Sequence, residues 1–131
     1  MLEIGEEKPF FLQPGEFVLG SMLECINALD SIVARLQGKC SLGRIGLMIH
    51  STAGYVDPGW SGHPTLQLSY VAKLPITLYF RMRLGQVSFL RLSLAVEKPY
   101  GAQGLRSRYQ GQTEPSPSRY CQGFKGNSTK G

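Results

Sequence analysis

The sequence has 131 residues, a formal net charge of +5 and a pI near 9.3. This length suits one domain and leaves little room for a second. The composition, 42% hydrophobic and 18% charged, is that of a soluble globular protein. Because no run of about 18 apolar residues occurs, a transmembrane helix is not expected.

The N-terminal stretch MLEIGEEKPF is acidic and has no apolar signal core, so we expect a cytoplasmic protein rather than a secreted one. Cys25, Cys40 and Cys121 are therefore predicted to be free thiols. No cysteine or carboxylate cluster accompanies His50 and His63, which argues against a zinc site. The positive charge suits an anionic partner, either a nucleotide phosphate or a nucleic acid, with a solvated basic tail as an equally weighted alternative.

Two elements are predicted in the first third of the chain. The apolar runs on either side of Gln13-Pro14-Gly15 predict a hairpin over residues 10–21. Helical spacing of apolar residues predicts a helix over residues 22–36. Ser41 is a candidate cap for a short helix that follows, and Asp57 begins an Asp-Pro-Gly turn.

The second half contains strand signals. In the stretch HPTLQLSY, Leu66 and Leu68 alternate with three polar residues, among them Gln67. A change in the apolar parity near Leu90 predicts a β-bulge. The predicted strands cover residues 65–71, 76–80 and 84–94.

The sequence changes character after Lys98. Residues 99–131 are rich in Gly, Ser, Pro, Gln and Arg and poor in aliphatic side chains, so they cannot build a core of their own. We expect them to form either a disordered tail or an arm that orders on a ligand or a neighbouring subunit. The predicted organisation is a mainly β domain, barrel or double sheet, over residues 1–98, followed by a mobile arm over 99–131.

The motifs GKCSLGRIGL, HSTAGYVDPGWSG, TLQL and LPITLY occur in this order, followed by PYG, SRYQGQ and PSPSR. In this series the sequence closely resembles the dCTP deaminase family, relatives of the trimeric dUTPases. The resemblance runs from about Leu12 to Arg119. Several linked motifs in the correct order are far more specific than any single motif.

The resemblance implies a distorted β-barrel of the dUTPase-like type with a short helix, and it replaces the helix over residues 22–36 with strand, short turn, strand. It also implies homotrimers whose active sites are shared between subunits. The family reaction converts dCTP and water to dUTP and ammonia. It uses magnesium held mainly by the triphosphate, with no zinc and no predicted protein ligand to a metal, and some members also hydrolyse dUTP to dUMP.

Two positions tied to catalysis by this resemblance are altered. The family pattern T-L-E-L places its proton-shuttling Glu where this chain has Gln67, and the first Ser of G-[KR]-S-S-L is Cys40 here. An amide neither takes a proton from water nor gives one at neutral pH. We therefore expect the deaminase activity, hydrolysis of a cytosine amidine, to be impaired.

The positions that the resemblance assigns to nucleotide binding match the family pattern better than the two catalytic positions do. The resemblance implies triphosphate, sugar and base contacts from both the helix motif and the arm, and Arg108 keeps the charge of the family Lys. Asp57 has a second interpretation of equal weight, as a turn residue only. The nucleotide-binding residues implied are Lys39, Ser41, Leu42, Gly43, Arg44, Asp57, Thr65, Leu66, Tyr100, Arg108 and Gln112.

Other departures affect the fold. Phe80-Arg81 replaces the family's Pro-Gly, which removes the residues that make a tight bend. Pro64 costs a ladder hydrogen bond unless it lies at an edge or a strand start. Family members carry several dozen residues before the point where this chain begins, so we expect an open edge and exposed core surface.

The leading hypothesis is a family member that retains a pocket for a dCTP-, dUTP- or dTTP-type nucleotide with little or no deaminase activity. The alternatives are a regulatory subunit of a mixed trimer with a full-length paralogue, and residual dUTP diphosphatase activity. Nucleic-acid binding rests only on net charge and is weaker than these. His50 is expected to be packed and hydrogen-bonded, and Trp60 and Met48 to lie in the core or an interface.

Overall fold

The structure is a computed structural model that describes residues 7–50, 52 and 54–123. Within this part of the chain ten short strands, one α-helix and one 3-10 helix are present, and no helix is long and apolar enough to cross a membrane. The elements are β1 (Phe10–Leu12), β2 (Phe17–Ser21), β3 (Ile26–Asn27), β4 (Ile32–Gly38), α1 (Cys40–Gly43), β5 (Leu47–Met48), β6 (Tyr55–Val56), β7 (Ser61–Gly62), β8 (Thr65–Tyr70), β9 (Ile76–Leu78), β10 (Gly85–Arg91) and the 3-10 helix Tyr120–Gly123.

The strands form four small antiparallel sheets. Their orders are β1-β9, β10-β4-β6, β2-β8-β5 and β3-β7. The predicted mainly β, distorted barrel is confirmed, and these sheets do not join into one closed barrel. The domain boundary at residue 98 stays a prediction.

The core has two parts. The larger cluster joins Leu12, Leu36, Leu66, Leu68 and Leu78 with neighbouring buried side chains. The smaller cluster consists of Ile26, Ala34 and Trp60. Since β4 contributes Ala34 to the smaller cluster and Leu36 to the larger one, this strand ties the two parts together.

Three local predictions were wrong. The runs around Pro14-Gly15 do not pair with each other, because β1 pairs with β9 and β2 pairs with β8. The turn is therefore a corner between two sheets. The helix over residues 22–36 is replaced by β3 and β4, as the resemblance implied. No bulge occurs near Leu90, since β10 keeps an unbroken register with β4 from Gly85 to Arg91.

The cap of the short helix also differs from the prediction. α1 has Lys39 at its N-cap, with no side-chain capping hydrogen bond, and Ser41 lies inside the helix. The amide of Lys39 instead donates to the carbonyl of Leu84 at 3.2 Å. A backbone contact to the chain before β10 therefore anchors the start of α1.

A wide apolar groove runs along the face of β8 that carries Leu66 and Leu68. Its volume is about 1520 Å³, and Val18, Ile49 and Leu78 are also among its lining residues. The side chains of Leu66, Leu68, Ile49 and Leu78 that line it are themselves buried. Pro64 lies directly before the first residue of β8, at a strand start where the missing N–H of proline is tolerated. Its carbonyl accepts a hydrogen bond from the amide of Met22 at 3.1 Å.

The bend after β9 is retained despite the loss of Pro-Gly. The amide of Met82 donates to the carbonyl of Tyr79 at 3.1 Å, which closes the turn. Arg81 adopts a positive φ of 61° to make this geometry. The turn therefore persists without the residues that usually make it, and Arg81 carries the steric cost of the left-handed region.

This strain predicts that Arg81→Gly stabilises the protein. The left-handed conformation costs a residue with a Cβ roughly 1–2 kcal/mol, and glycine's greater unfolded-state entropy offsets about half of the gain. Glycine also removes the contact of the Arg81 guanidinium with the Phe80 ring, 5.3 Å from its centroid, so we expect the free energy of unfolding in urea to rise by at most about 0.5–1 kcal/mol. Arg83→Gly, two residues further on at ordinary φ, is the matched control and should lower that free energy. A loss of stability in Arg81→Gly would contradict the assignment of strain.

Candidate functional site

A cleft of about 330 Å³ lies between the Asp57 turn and residues 99–123, the described part of the arm. The turn is closed by the amide of Trp60, which donates to the carbonyl of Asp57 at 3.1 Å. Gly59 has a φ of 85° in this turn, and a Cβ there would lie 2.4 Å from the Cβ of Pro99. Asp57 is therefore a turn residue that also lines the cleft, and its contact with a nucleotide stays a prediction. The cleft is lined by Asp57, Tyr100, Leu105, Arg106, Ser107, Arg108 and Tyr109.

Trp60 holds the arm against the domain, and Tyr100 folds the arm back on itself. The hydroxyl of Tyr100 accepts hydrogen bonds from the amides of Arg108, at 3.2 Å, and Tyr109, at 3.0 Å. The indole Nε1 of Trp60 donates to the carbonyl of Tyr109 at 2.9 Å. Because these bonds go to backbone atoms, they fix the path of the arm and leave the Arg108 side chain on the cleft wall.

The next turn of the arm docks beside β7. Gln110 donates through Nε2 to the carbonyl of Gly59 at 2.9 Å and accepts through Oε1 from the amide of Ser61 at 3.0 Å. The amide of His63 donates to the carbonyl of Gln112 at 2.7 Å. A Cβ on Gly62 would lie 2.8 Å from the backbone of Gln112, so glycine permits this approach. Over these residues the arm docks on its own domain, and its mobility stays a prediction.

Gln112 carries a hydrogen-bond donor that has no protein partner. Its side chain is 9% exposed, and its Oε1 accepts from the hydroxyl of Thr65 at 3.5 Å. Its Nε2 is buried without a partner among the residues that the structure describes. Leaving a buried donor unpaired costs about 1–3 kcal/mol. Such a group is suited to a ligand that brings an acceptor.

Gln67 lies on the same polar face of β8, one alternation from Thr65. The burial pattern confirms the predicted alternation, with Leu66 and Leu68 buried and Gln67 half-buried between them. The backbone amide of Gln67 donates to the carbonyl of Ile49 at 3.1 Å. The side-chain Oε1 of Gln67 accepts from the hydroxyl of Thr52 at 3.5 Å. The side chain of Gln67 is therefore a held amide at the position where the resemblance implies a carboxylate.

The helix motif lies at the other end of β8. α1 leads into β5, whose residue Leu47 pairs with Tyr70, whereas Thr65 and Gln112 meet at the first residue of the strand. A strand of six residues spans roughly 20 Å. Within the described residues no hydrogen bond joins the two groups. Within one chain, the predicted site residues therefore form two separate groups at opposite ends of β8. The group at α1 consists of Lys39, Cys40, Ser41, Leu42, Gly43 and Arg44.

The side chains of the α1 group are mostly open to solvent. Lys39, Ser41 and Arg44 are exposed, and Cys40 is an exposed free thiol. Leu42 is half-buried and packs against the larger core cluster. Cys25 and Cys121 are also free and exposed, as predicted. The cations of this group are thus available to a ligand or to a second subunit.

His50 departs from its prediction. It is half-buried, and neither ring nitrogen has a hydrogen-bond partner within residues 7–50, 52 and 54–123. Burial lowers the pKa of His50, which favours the neutral ring. Trp60 is a core residue as predicted. Met48 is 41% exposed and lies outside the core, so its interface alternative stays a prediction.

Sequence reasoning missed Thr52, Arg106 and Tyr109 as site residues. Arg106 carries a usable signal, since an Arg-x-Arg pair follows the PYG motif. Tyr109 contributes its backbone carbonyl, which no side-chain pattern encodes. Thr52 depends on its contact with Gln67 of β8, a tertiary contact that no local pattern encodes.

The dCTP deaminase-like family model matches residues 1–92. The chain is 58% identical over 118 residues to the "dCTP deaminase, dUMP-forming" of Leifsonia xyli subsp. xyli, which covers 90% of this chain and 59% of that protein. It is also 58% identical over 117 residues to the protein of the same name from Mycobacterium bovis (strain BCG / Pasteur 1173P2), covering 89% and 62%. A match of 118 residues must extend beyond residue 92, towards the arm.

Among solved structures, the native dUTPase of EIAV is similar with a TM-score of 0.46 and 18% identity, over 77% of this chain and 90% of that one. The curated relatives are longer than this chain, which spans 59% and 62% of their lengths. The family model and these relatives agree with the motif series in the sequence. The chain belongs to the dCTP deaminase-like family.

Proposed function

We propose that this protein binds a pyrimidine deoxynucleoside triphosphate and has little or no deaminase activity of its own. The observation that carries the proposal is Gln67 on the polar face of β8, beside the Thr65–Gln112 pair that presents a buried, unpartnered donor. An amide at this position is able to hydrogen-bond the edge of a base but not to move a proton.

The residues around the cleft supply the types of contact that such a ligand needs. Arg108 offers a guanidinium to the phosphates, and Tyr100 both shapes the cleft and holds the arm. Asp57 would accept a hydrogen bond from the deoxyribose. The base would lie near Thr65 and Leu66, with Gln67 at its exocyclic edge.

The proposed loss of deamination follows from the reaction itself. Hydrolysis at C4 of cytosine requires a base that activates water and an acid that protonates the ring nitrogen and the leaving amine. A carboxylate serves in both roles, and such assistance contributes roughly 10²–10⁴ in rate. Gln67 serves in neither, and Cys40 offers a bulkier and weaker hydrogen-bonding group than serine.

The division of the site along β8 favours an assembly in which a second subunit brings its α1 group to this subunit's cleft. Lys39, Ser41 and Arg44 of that neighbour would then complete the charge around the triphosphate. We propose a homotrimer, or a mixed trimer with a full-length paralogue in which this chain is the regulatory subunit. A cytoplasmic location accords with this role.

Magnesium would enter with the triphosphate. The described residues contain no group of three or more His, Cys, Asp or Glu side chains suited to a metal. The chemistry of the cleft fits an ion carried mainly by phosphates, because Asp57 is a hard oxygen donor of the kind that Mg²⁺ accepts. When bound, the ion would neutralise phosphate charge.

The second candidate is dUTP diphosphatase activity. It is favoured by the name of both relatives, which are dUMP-forming, and by the position of Asp57 in the same cleft as two arginines. Pyrophosphate release from dUTP with magnesium measures it. Turnover that Asp57→Asn abolishes would establish this function over the binding role.

The main test is calorimetric titration of the full chain with dCTP, dUTP, dTTP and ATP in the presence of magnesium. We expect binding of the three pyrimidine deoxynucleotides, weaker binding of ATP, and about 10-fold weaker binding to Gln112→Leu, which lacks the buried donor. Ammonia release from dCTP is measured in parallel. Rapid turnover of dCTP would overturn the inactive assignment, and equal affinity for ATP would overturn the pyrimidine pocket. Light scattering on the same samples reports the subunit number.

A further inference from the structure

Arg106 stands in a conformation that side chains with a Cβ rarely adopt. Its φ is 51°, in the left-handed region that favours glycine. Arg106 lies between Leu105 and Ser107 on the wall of the cleft. Non-glycine residues held in this region cluster at ligand sites, where the side chain compensates for the backbone cost.

The side chain of Arg106 is exposed and has no hydrogen bond, ion pair or ring contact within the described residues. The other two arginines in the described part of the arm each lie near an aromatic ring, and Arg119 is also held by a hydrogen bond. The guanidinium of Arg119 donates to the carbonyl of Arg108 and lies 5.7 Å from the centroid of the Tyr109 ring. Arg108 lies 5.9 Å from the centroid of the Tyr120 ring.

The polar groups beside Arg106 are already used inside the arm. The hydroxyl of Ser107 accepts from the amide of Gly101 at 2.9 Å, and the hydroxyl of Tyr100 accepts two amides. The charge that the cleft offers to an anion therefore comes from Arg106 and Arg108, opposed by Asp57 alone among its lining residues.

We propose that Arg106 is a second phosphate-binding residue of the cleft and that it sets a preference for polyphosphate over monophosphate ligands. The inference rests on the proposed nucleotide site and adds a residue that the motif comparison did not assign. A planar guanidinium binds phosphate oxygens in a bidentate manner. The guanidiniums of Arg106 and Arg108, two residues apart, are suited to neighbouring phosphates of one polyphosphate ligand. A monophosphate would bind only one of the two guanidiniums.

Arg106→Gly separates binding from folding, because the two effects have opposite signs. Glycine relieves the positive φ, so the thermal midpoint should stay or rise. Loss of the guanidinium should weaken the binding of inorganic tripolyphosphate and of dTTP roughly 10-fold, with little change for dTMP. Arg106→Lys keeps the charge but not the bidentate guanidinium, so its affinity for tripolyphosphate and dTTP should lie between those of the wild type and Arg106→Gly.

Arg81→Gly is the matched control, since it makes the same substitution at a positive φ outside the cleft. It should raise the midpoint and leave tripolyphosphate affinity unchanged. Wild-type affinity in Arg106→Gly would overturn the proposal for Arg106. If tripolyphosphate binds in an Arg106-dependent manner but no nucleotide binds, the inference stands and the proposed function fails. If the wild-type protein binds neither, both fail.

Discussion

The double substitution Gln67→Glu with Cys40→Ser is expected to raise the rate of dCTP deamination by roughly 10²–10⁴. The new carboxylate would lie on the polar face of β8, in place of the Gln67 side chain, whose Oε1 accepts a hydrogen bond from the Thr52 hydroxyl. It would take a proton from the attacking water and return it to the departing amine. Ammonia release and dUTP formation at saturating dCTP measure the gain.

The controls for this experiment distinguish chemistry from binding. Gln67→Leu, which resembles the amide in size but has no polar group, should remain inactive, and Cys40→Ser alone should gain little because it supplies no proton shuttle. A double variant that binds dCTP as tightly as the wild type yet gains no activity would contradict the role given to Gln67. Loss of binding in the double variant would contradict its placement at the base.

Trp60→Ala is expected to produce the largest loss of stability, about 3–5 kcal/mol in the free energy of unfolding. The ring is 7% exposed and forms the smaller core cluster with Ile26 and Ala34. Its Nε1 also donates to the carbonyl of Tyr109, so the arm loses an anchor as well. Urea unfolding measures the first effect, and limited proteolysis of residues 99–112 measures the second.

Trp60→Phe is the companion variant. It keeps most of the buried ring and removes the Nε1 hydrogen bond, so the bond's share is expected to be about 1 kcal/mol. Protease cleavage within the arm should increase in both variants, and nucleotide affinity should fall with it. An arm that stays protected in Trp60→Ala would show that Tyr100 and Gln110 suffice to dock it.

Local pattern predicted some strands well and misjudged others for identifiable reasons. In β8 every second residue is a large aliphatic or aromatic residue, so the alternation was evident. In β4 the buried positions are Ala34 and Leu36, and alanine is too weak a signal to reveal a two-residue period. Leu29, which completed the apparent helical spacing, is 66% exposed in the turn between strands.

Long-range pairing was less accessible to the sequence. The Pro14-Gly15 turn has the composition of a hairpin, yet the strands that it joins enter different sheets. Turn composition reports a change of direction but not the partner of each strand. The motif resemblance supplied the family and three residues of the cleft, Asp57, Tyr100 and Arg108. It did not reveal that the predicted site residues are divided between the two ends of β8, because that depends on tertiary structure.

The manner in which the arm is held has an evolutionary consequence. Trp60, Tyr100 and His63 all grip main-chain atoms of residues 108–112. Substitutions at positions 106 and 108 thus leave the docking bonds in place. Under the proposed function, single substitutions at these two positions would change ligand preference while the main-chain bonds that dock the arm are kept.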